Sequence, residues 1–227
     1  MFIKDFFINT FEKFFFIFLF IVSITFILLN GMMLIGVNLP SKFSNDLYRI
    51  NYDHSYGEFF QYFLLFGTLI FNFFIFFKEK FFIYTIPFIL YLLIDDYFML
   101  HDNANAVIFS KFDYIFLKFS LLRIKDYYEF IWHLIITLPL FIISILCFKE
   151  KNLLIDKFKF KYLISIILLI FFGMVVDFFS VIIIDIINTP KHPINTLITF
   201  FEEGGEMIVC SFLFSSYIGY FVEKLKI

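Results

Sequence analysis

Six apolar stretches punctuate the chain, at residues 14–36, 58–77, 81–100, 128–148, 162–187 and 199–222. Each is close to the roughly 20 residues that a helix needs to cross the hydrocarbon of a bilayer. The first is too long for a signal-peptide core, and no A-x-A-like site follows it, so it reads as a transmembrane helix. Only Lys78-Glu79-Lys80 separates the second stretch from the third, which predicts a very tight turn. Residues 37–57 form a polar loop, with Tyr48, Tyr52 and Tyr56 suited to a membrane–water interface. Residues 149–161 read as a basic loop, and Pro139 is expected to kink the fourth helix.

Residues 103–127 have a different pattern. Phe112, Ile115, Phe116, Phe119 and Leu122 recur at helical spacing, with Lys111, Lys118, Arg123 and Lys125 between them. That predicts a helix lying in the interface. The expected architecture is therefore all-α: a polytopic membrane helix bundle of six transmembrane helices plus one interfacial amphipathic helix. It forms a single transmembrane domain over residues 1–227, with no internal repeat.

Composition agrees. Hydrophobic residues make up 62% of the chain and mean hydropathy is +0.92, more apolar surface than a soluble domain could bury. The 42 Phe residues are read as the mark of AT-rich coding rather than as aromatic cages. Cys147 and Cys210 both fall in apolar stretches, so no disulfide framework is expected. No nucleic-acid signature is present. With six crossings both termini share a side. That side holds Lys4, Lys13, Lys78, Lys80, the basic loop, Lys224 and Lys226, against Lys42, Arg49, Lys111, Lys118, Arg123, Lys125 and Lys191 on the other. The positive-inside rule then puts both termini in the cytoplasm, with the chain in the cell (inner) membrane.

Charged groups inside the apolar stretches need a reason. Residues 93–102 read L-I-D-D-Y-F-M-L-H-D, and residues 200–207 read F-F-E-E-G-G-E-M. With the six crossings in place, Asp95, Asp96, His101 and Asp102 end the third helix on the outer side, and Glu202, Glu203 and Glu206 open the sixth there. Glu129 and His133, Asp177 and Asp185, and His54 with Glu58 also fall outward. Every intramembrane ionisable group is thus expected in the outer half, with Asp177 deepest, about 16 Å from Asn188. Each charge at a bilayer centre costs roughly 2.5–3.5 kcal/mol even on the mildest scale, so these faces are expected to turn inward on one polar cavity.

Such a cavity needs either protonated carboxylates or a bound cation. Asp, Glu and His suit a divalent metal ion such as Zn²⁺, Mn²⁺, Fe²⁺ or Ca²⁺. The candidate ligands are Asp95, His101, Asp102, Asp177, Glu203 and Glu206, and the candidate catalytic groups are Asp95, Asp177 and Glu206. Several positions also have a plain reading. His101 and Asp102 equally suit a solvated rim, Glu58 and Asp185 suit the interface, and His133 beside Trp132 suits the aromatic belt. Asp96 points about 100° away from Asp95, toward a neighbouring helix. Gly204 and Gly205 serve either close helix packing or a loosened helix.

The run Asp95-Asp96, His101-Asp102, Trp132, Pro139, Gly173-x-x-x-Asp177 and Glu202-Glu203-x-x-Glu206-Met207 resembles a group of uncharacterised bacterial multi-pass membrane proteins. The resemblance spans roughly residues 92–219 and implies the same buried positions, with no activity attached. Asp stands at 96, 102 and 177 where the group's pattern carries Glu. Three functions fit the sequence: a metal-dependent membrane hydrolase or lipid-modifying enzyme, a cation or proton transporter, or a structural, partner-binding membrane subunit. The expected partners are the lipid bilayer and a lipid substrate or cation, and no nucleic acid.

Overall fold

The computed structural model describes residues 6–34, 55–98, 100, 124–146, 153–176, 178–179, 182–183 and 193–225. Among them every regular element is helical: α1 (Thr10–Leu34), α2 (Tyr56–Phe76), a 3₁₀ turn (Lys80–Tyr84), α3 (Ile86–Phe98), α4 (Ile124–Leu146), α5 (Leu153–Ile170) continued by a π-helical turn (Phe171–Val176), and α6 (Pro193–Leu225). Among the described residues four helices are long and apolar enough to cross a membrane, within Thr10–Met32, Tyr56–Phe76, Leu154–Val176 and Phe200–Leu225. The described 13 residues of α3 extend about 20 Å. Of the expected interfacial helix only residues 124–127 are described, and they form the first turn of α4. That helix runs on through Pro139.

The expected basic loop 149–161 is corrected. From Leu153 onward it is helix, because Ile155, Phe158, Tyr162, Ile166 and Leu169 make one buried stripe at three- and four-residue spacing. The interleaved lysines hide that stripe from a window that averages hydropathy.

Helix α6 is the axle of the bundle. It packs against α1, α2 and α5, while α3 leans on α2 and α4 on α3. Two-thirds (67%) of its crossing segment is buried, against 22% for α1. It is central because it is the least lipid-compatible. Ser211, Ser215 and Gly219 recur every fourth residue and make a small, polar face that lipid would not solvate. The matching face of α1 carries Glu12, Ser23 and Asn30, all buried and close to whole turns apart. The two faces meet where the Ser23 and Ser211 hydroxyls lie 3.0 Å apart.

At the end of the bundle near the α2–α3 turn, packing is aromatic. Phe82, carried in by the 3₁₀ turn, meets Tyr220 at 5.2 Å between ring centroids, and Phe158 meets Tyr217 at 4.9 Å edge-on. Thr85 fixes the turn, since Asn72 Nδ2 donates to its hydroxyl at 2.8 Å and the Tyr217 hydroxyl lies 3.2 Å away. An ion pair between Lys224 and Glu79 ties α6 to the same turn.

Candidate acid site and buried ion pair

The acids of α6 sit where α2, α3 and the end of α5 converge. Glu206 Oε1 packs onto Gly173 in the π-helical turn, and a Cβ at Gly173 would collide with it. The π turn widens the helix locally, and such turns recur at functional sites. The other oxygen, Oε2, accepts from Gln61 Nε2 at 3.4 Å. One turn earlier, Glu203 lies within electrostatic reach of Glu206, Glu202, Glu58 and Asp96. The Tyr62 hydroxyl donates to Glu58 Oε2 at 3.0 Å and lies 3.3 Å from the Asp96 carbonyl oxygen, joining α2 to α3. Cys210, one turn past Glu206, is buried beneath both Glu206 and Asp96. Gly204 and Gly205 serve close packing, against Ile27 of α1 and Phe172 of α5, and α6 stays helical through them.

Asp95 turns the other way. Its Oδ2 lies 3.8 Å from His133 Nδ1 on α4. The Tyr91 hydroxyl lies beside Asp95, Thr137 and Trp132, and the polar atoms of Tyr91, Trp132 and Thr137 are all shielded from solvent. His133 is therefore turned into the α3–α4 contact, a correction to its reading as half of an aromatic-belt pair. The single cavity wall expected from D-D-Y-F-M-L-H-D divides in two. Asp96 is the α3 acid that reaches Glu203, while Asp95 serves the α3–α4 contact. The acids of the first group are only partly exposed, and Asp95 is buried.

His101, Asp102, Asp177, Asp185 and His54, and the side chain of Glu129, lie outside the described residues. Among the described residues no three His, Cys, Asp or Glu side chains are grouped as a metal ion would need. Glu203 and Glu206 are together, but with Glu58, Asp96 and Glu202 rather than with Asp95.

An apolar groove of about 390 Å³ adjoins the acids, lined by Tyr62, Phe63 and Phe66 of α2 and Leu93, Ile94, Tyr97 and Phe98 of α3. Phe63, Phe66 and Phe98 are exposed along it, so it opens outward from the bundle. One of its two tyrosines, Tyr62, carries the hydroxyl that holds Glu58.

Charged groups are also buried at the opposite end of the bundle, just beyond the expected stretches 14–36 and 162–187. Glu12 and Lys161 form an ion pair, with side chains 0% and 1% exposed, about 20 Å along α6 from Glu206 at the level of Gly219. Glu12 stacks directly on Gly219, where a Cβ would come within 2.7 Å of it. Its carboxylate also accepts from the Ile8 backbone N–H at 2.5 Å, and its own N–H is capped by Asn9 Oδ1 at 2.8 Å. The Lys161 ammonium lies 5.5 Å from the ring centre of Phe6 and 5.4 Å from that of Phe7. Two signals pointed here. Asn9-x-x-Glu12 is a helix-start pattern, and Glu12, Ser23 and Asn30 share one face of α1. For Lys161 the K-x-K-x-K run of 157, 159 and 161 gave no warning, because only one of its members faces inward.

Comparison with known proteins finds no matching family model, no matching curated protein and no matching solved structure.

Proposed function

We propose that the protein is a multi-pass membrane transporter of protons or small cations, with Glu206, Glu203, Glu58 and Asp96 as its outer binding site. Asp95 with His133 is a second proton-holding pair on the far side of α3. The observation that carries this reading is the asymmetry of the charged groups. Partly exposed acids occupy one end of the bundle, and a fully buried Glu12–Lys161 pair occupies the other. Ionisable groups within the bundle at both depths are what a path across a membrane requires. The acids are spread over α2, α3 and α6, with Gln61 donating to Glu206 and Tyr62 to Glu58, an arrangement suited to shared protons or a loosely held cation. The reading takes a bacterial inner membrane with both termini cytoplasmic, as the positive-inside rule suggests, and so takes the acid end as outward. Proton uptake by proteoliposomes, followed with an enclosed pH-sensitive dye under an imposed gradient, tests the function. Uptake should fall to the level of empty liposomes in Glu206→Gln. Absence of uptake in the parent, for protons and for Na⁺ or K⁺ alike, removes the reading.

The groove between α2 and α3 favours a second reading, a metal-dependent hydrolase or lipid-modifying enzyme. A lipid chain lying there would bring its head group to Glu58 and Glu203, and a divalent ion completed by Asp177, His101 or Asp102 would activate water. Metal analysis of the purified protein separates the two. A stoichiometric divalent ion, lost in Glu206→Gln and Asp177→Asn, supports the enzyme.

A further inference from the structure

The Glu12–Lys161 pair calls for a role beyond cohesion. Burying two charges costs several kcal/mol per ion before their attraction is counted, so apolar side chains would hold α1 to α5 at least as well. An ion pair differs in that it can be exchanged for water when the helices part. This one is sealed. Glu12 and Lys161 come from different helices, and Glu12 is pinned against Gly219 of a third. Residues 6–9 fold over them, with Phe6 stacked on Phe212 at 5.5 Å and Asn9 Nδ2 donating to the Gly219 carbonyl at 2.8 Å. Ser216, which also hydrogen-bonds Glu12, is fully buried beside it.

Helix α5 connects this seal to the acid site. Lys161 and Gly173 lie on it about 18 Å apart, and Gly173 is in the π-helical turn that bears on Glu206. A π turn holds one residue more than an α turn. Its conversion to α-helix would draw the rest of α5 along by about 1.5 Å and rotate it by about 100°. That motion would take Lys161 off Glu12. The carboxylate of Glu206 is placed to govern the conversion, since its Oε1 fills the space beside Gly173.

We infer that the Glu12–Lys161 pair, closed over by Phe6 and Phe7, is the inner gate of the protein, and that the π-helical turn of α5 couples it to the occupancy of the acid site at Glu206. This deepens the transport reading and rests on it for its purpose. The gate itself is tested without flux.

In a background with Cys147 and Cys210 replaced by Ala, Ser216→Cys reports the gate through its rate of modification by a small thiol reagent in proteoliposomes. The parent should react slowly. Glu12→Gln and Lys161→Met should each raise the rate by about tenfold or more, as local opening replaces a closed contact. The charge-swapped pair, Glu12→Lys with Lys161→Glu, should return it toward the parent value. Glu206→Gln should shift the rate with the pair left intact. Single variants that fold, by monodisperse gel filtration, yet label at the parent rate overturn the gate. So does a swapped pair that folds but stays open, which would mean that lost packing and not the lost pair exposed the cysteine. If the single variants do not fold, the swapped pair and Lys161→Arg decide alone: both must fold and stay protected. An unchanged rate in Glu206→Gln overturns the coupling. Proton uptake in the same vesicles is read separately. A parent that gates but does not transport sinks the transport reading and leaves the gate standing.

Discussion

Glu206 Oε1 occupies the space beside Gly173 that a side chain would need. The contact makes the acid and the π-helical turn one unit. Gly173→Ala should force them apart and lower stability by about 1–3 kcal/mol, the usual cost of overpacking. In a Glu206→Ala background the same substitution should cost much less. A double-mutant cycle on thermal unfolding in detergent checks this, and additive effects would mean that the two residues do not meet.

Removing one partner of the buried pair should be expensive. Glu12→Gln or Lys161→Met is expected to cost about 3–5 kcal/mol, because it leaves a buried charge without its counter-charge. Glu12→Leu with Lys161→Met should recover most of that loss. Denaturant unfolding of the three variants distinguishes a destabilising orphan charge from a pair that contributes stability in its own right.

The seam between α1 and α6 is expected to be sensitive to size more than to polarity. Ser211→Ala deletes one interhelical hydrogen bond and should cost about 0.6 kcal/mol, the average measured inside membranes. Ser211→Leu must part the helices at Ser23 and should cost about 1–3 kcal/mol. Equal effects would show that the hydroxyl and not the close approach holds the seam.

Orientation has its own test. Single cysteines at Asn103 and Asn152 should label from opposite sides of the membrane in intact cells, Asn103 from outside. Labelling of Asn152 from outside would reverse the bundle and put the acid site on the cytoplasmic face.

The membrane helices were legible in the sequence because hydropathy alone defines them, and α1, α2 and the crossing part of α6 begin and end within a few residues of expectation. The acid pair Glu203 and Glu206 was legible from helical spacing. The partners were not. Helical phase separates Asp95 from Asp96 by about 100°, but it does not say which of the two faces α6. Asp96 does, and Asp95 looks to His133. Lys161 was lost because a lysine beside two other lysines reads as solvated loop, and only the stripe of Ile155, Phe158 and Tyr162 reveals that helix is already under way. Gln61 and Tyr62 carry no such signal, because nothing local distinguishes a polar residue that serves a distant carboxylate from one that faces an interface.

The central place of α6 has a consequence for how the protein is made. The Ser23–Ser211 contact joins residues 188 positions apart. When α1 enters the membrane, the helix that will cover Glu12, Ser23 and Asn30 has not yet been synthesised. At a rate of about 5–20 residues per second, α1 must wait roughly ten seconds or more with a polar stripe unmatched. During that interval it has to be sheltered by the insertion machinery, by a chaperone or by a provisional neighbour. Biogenesis, more than final stability, then sets how many polar residues α1 can carry.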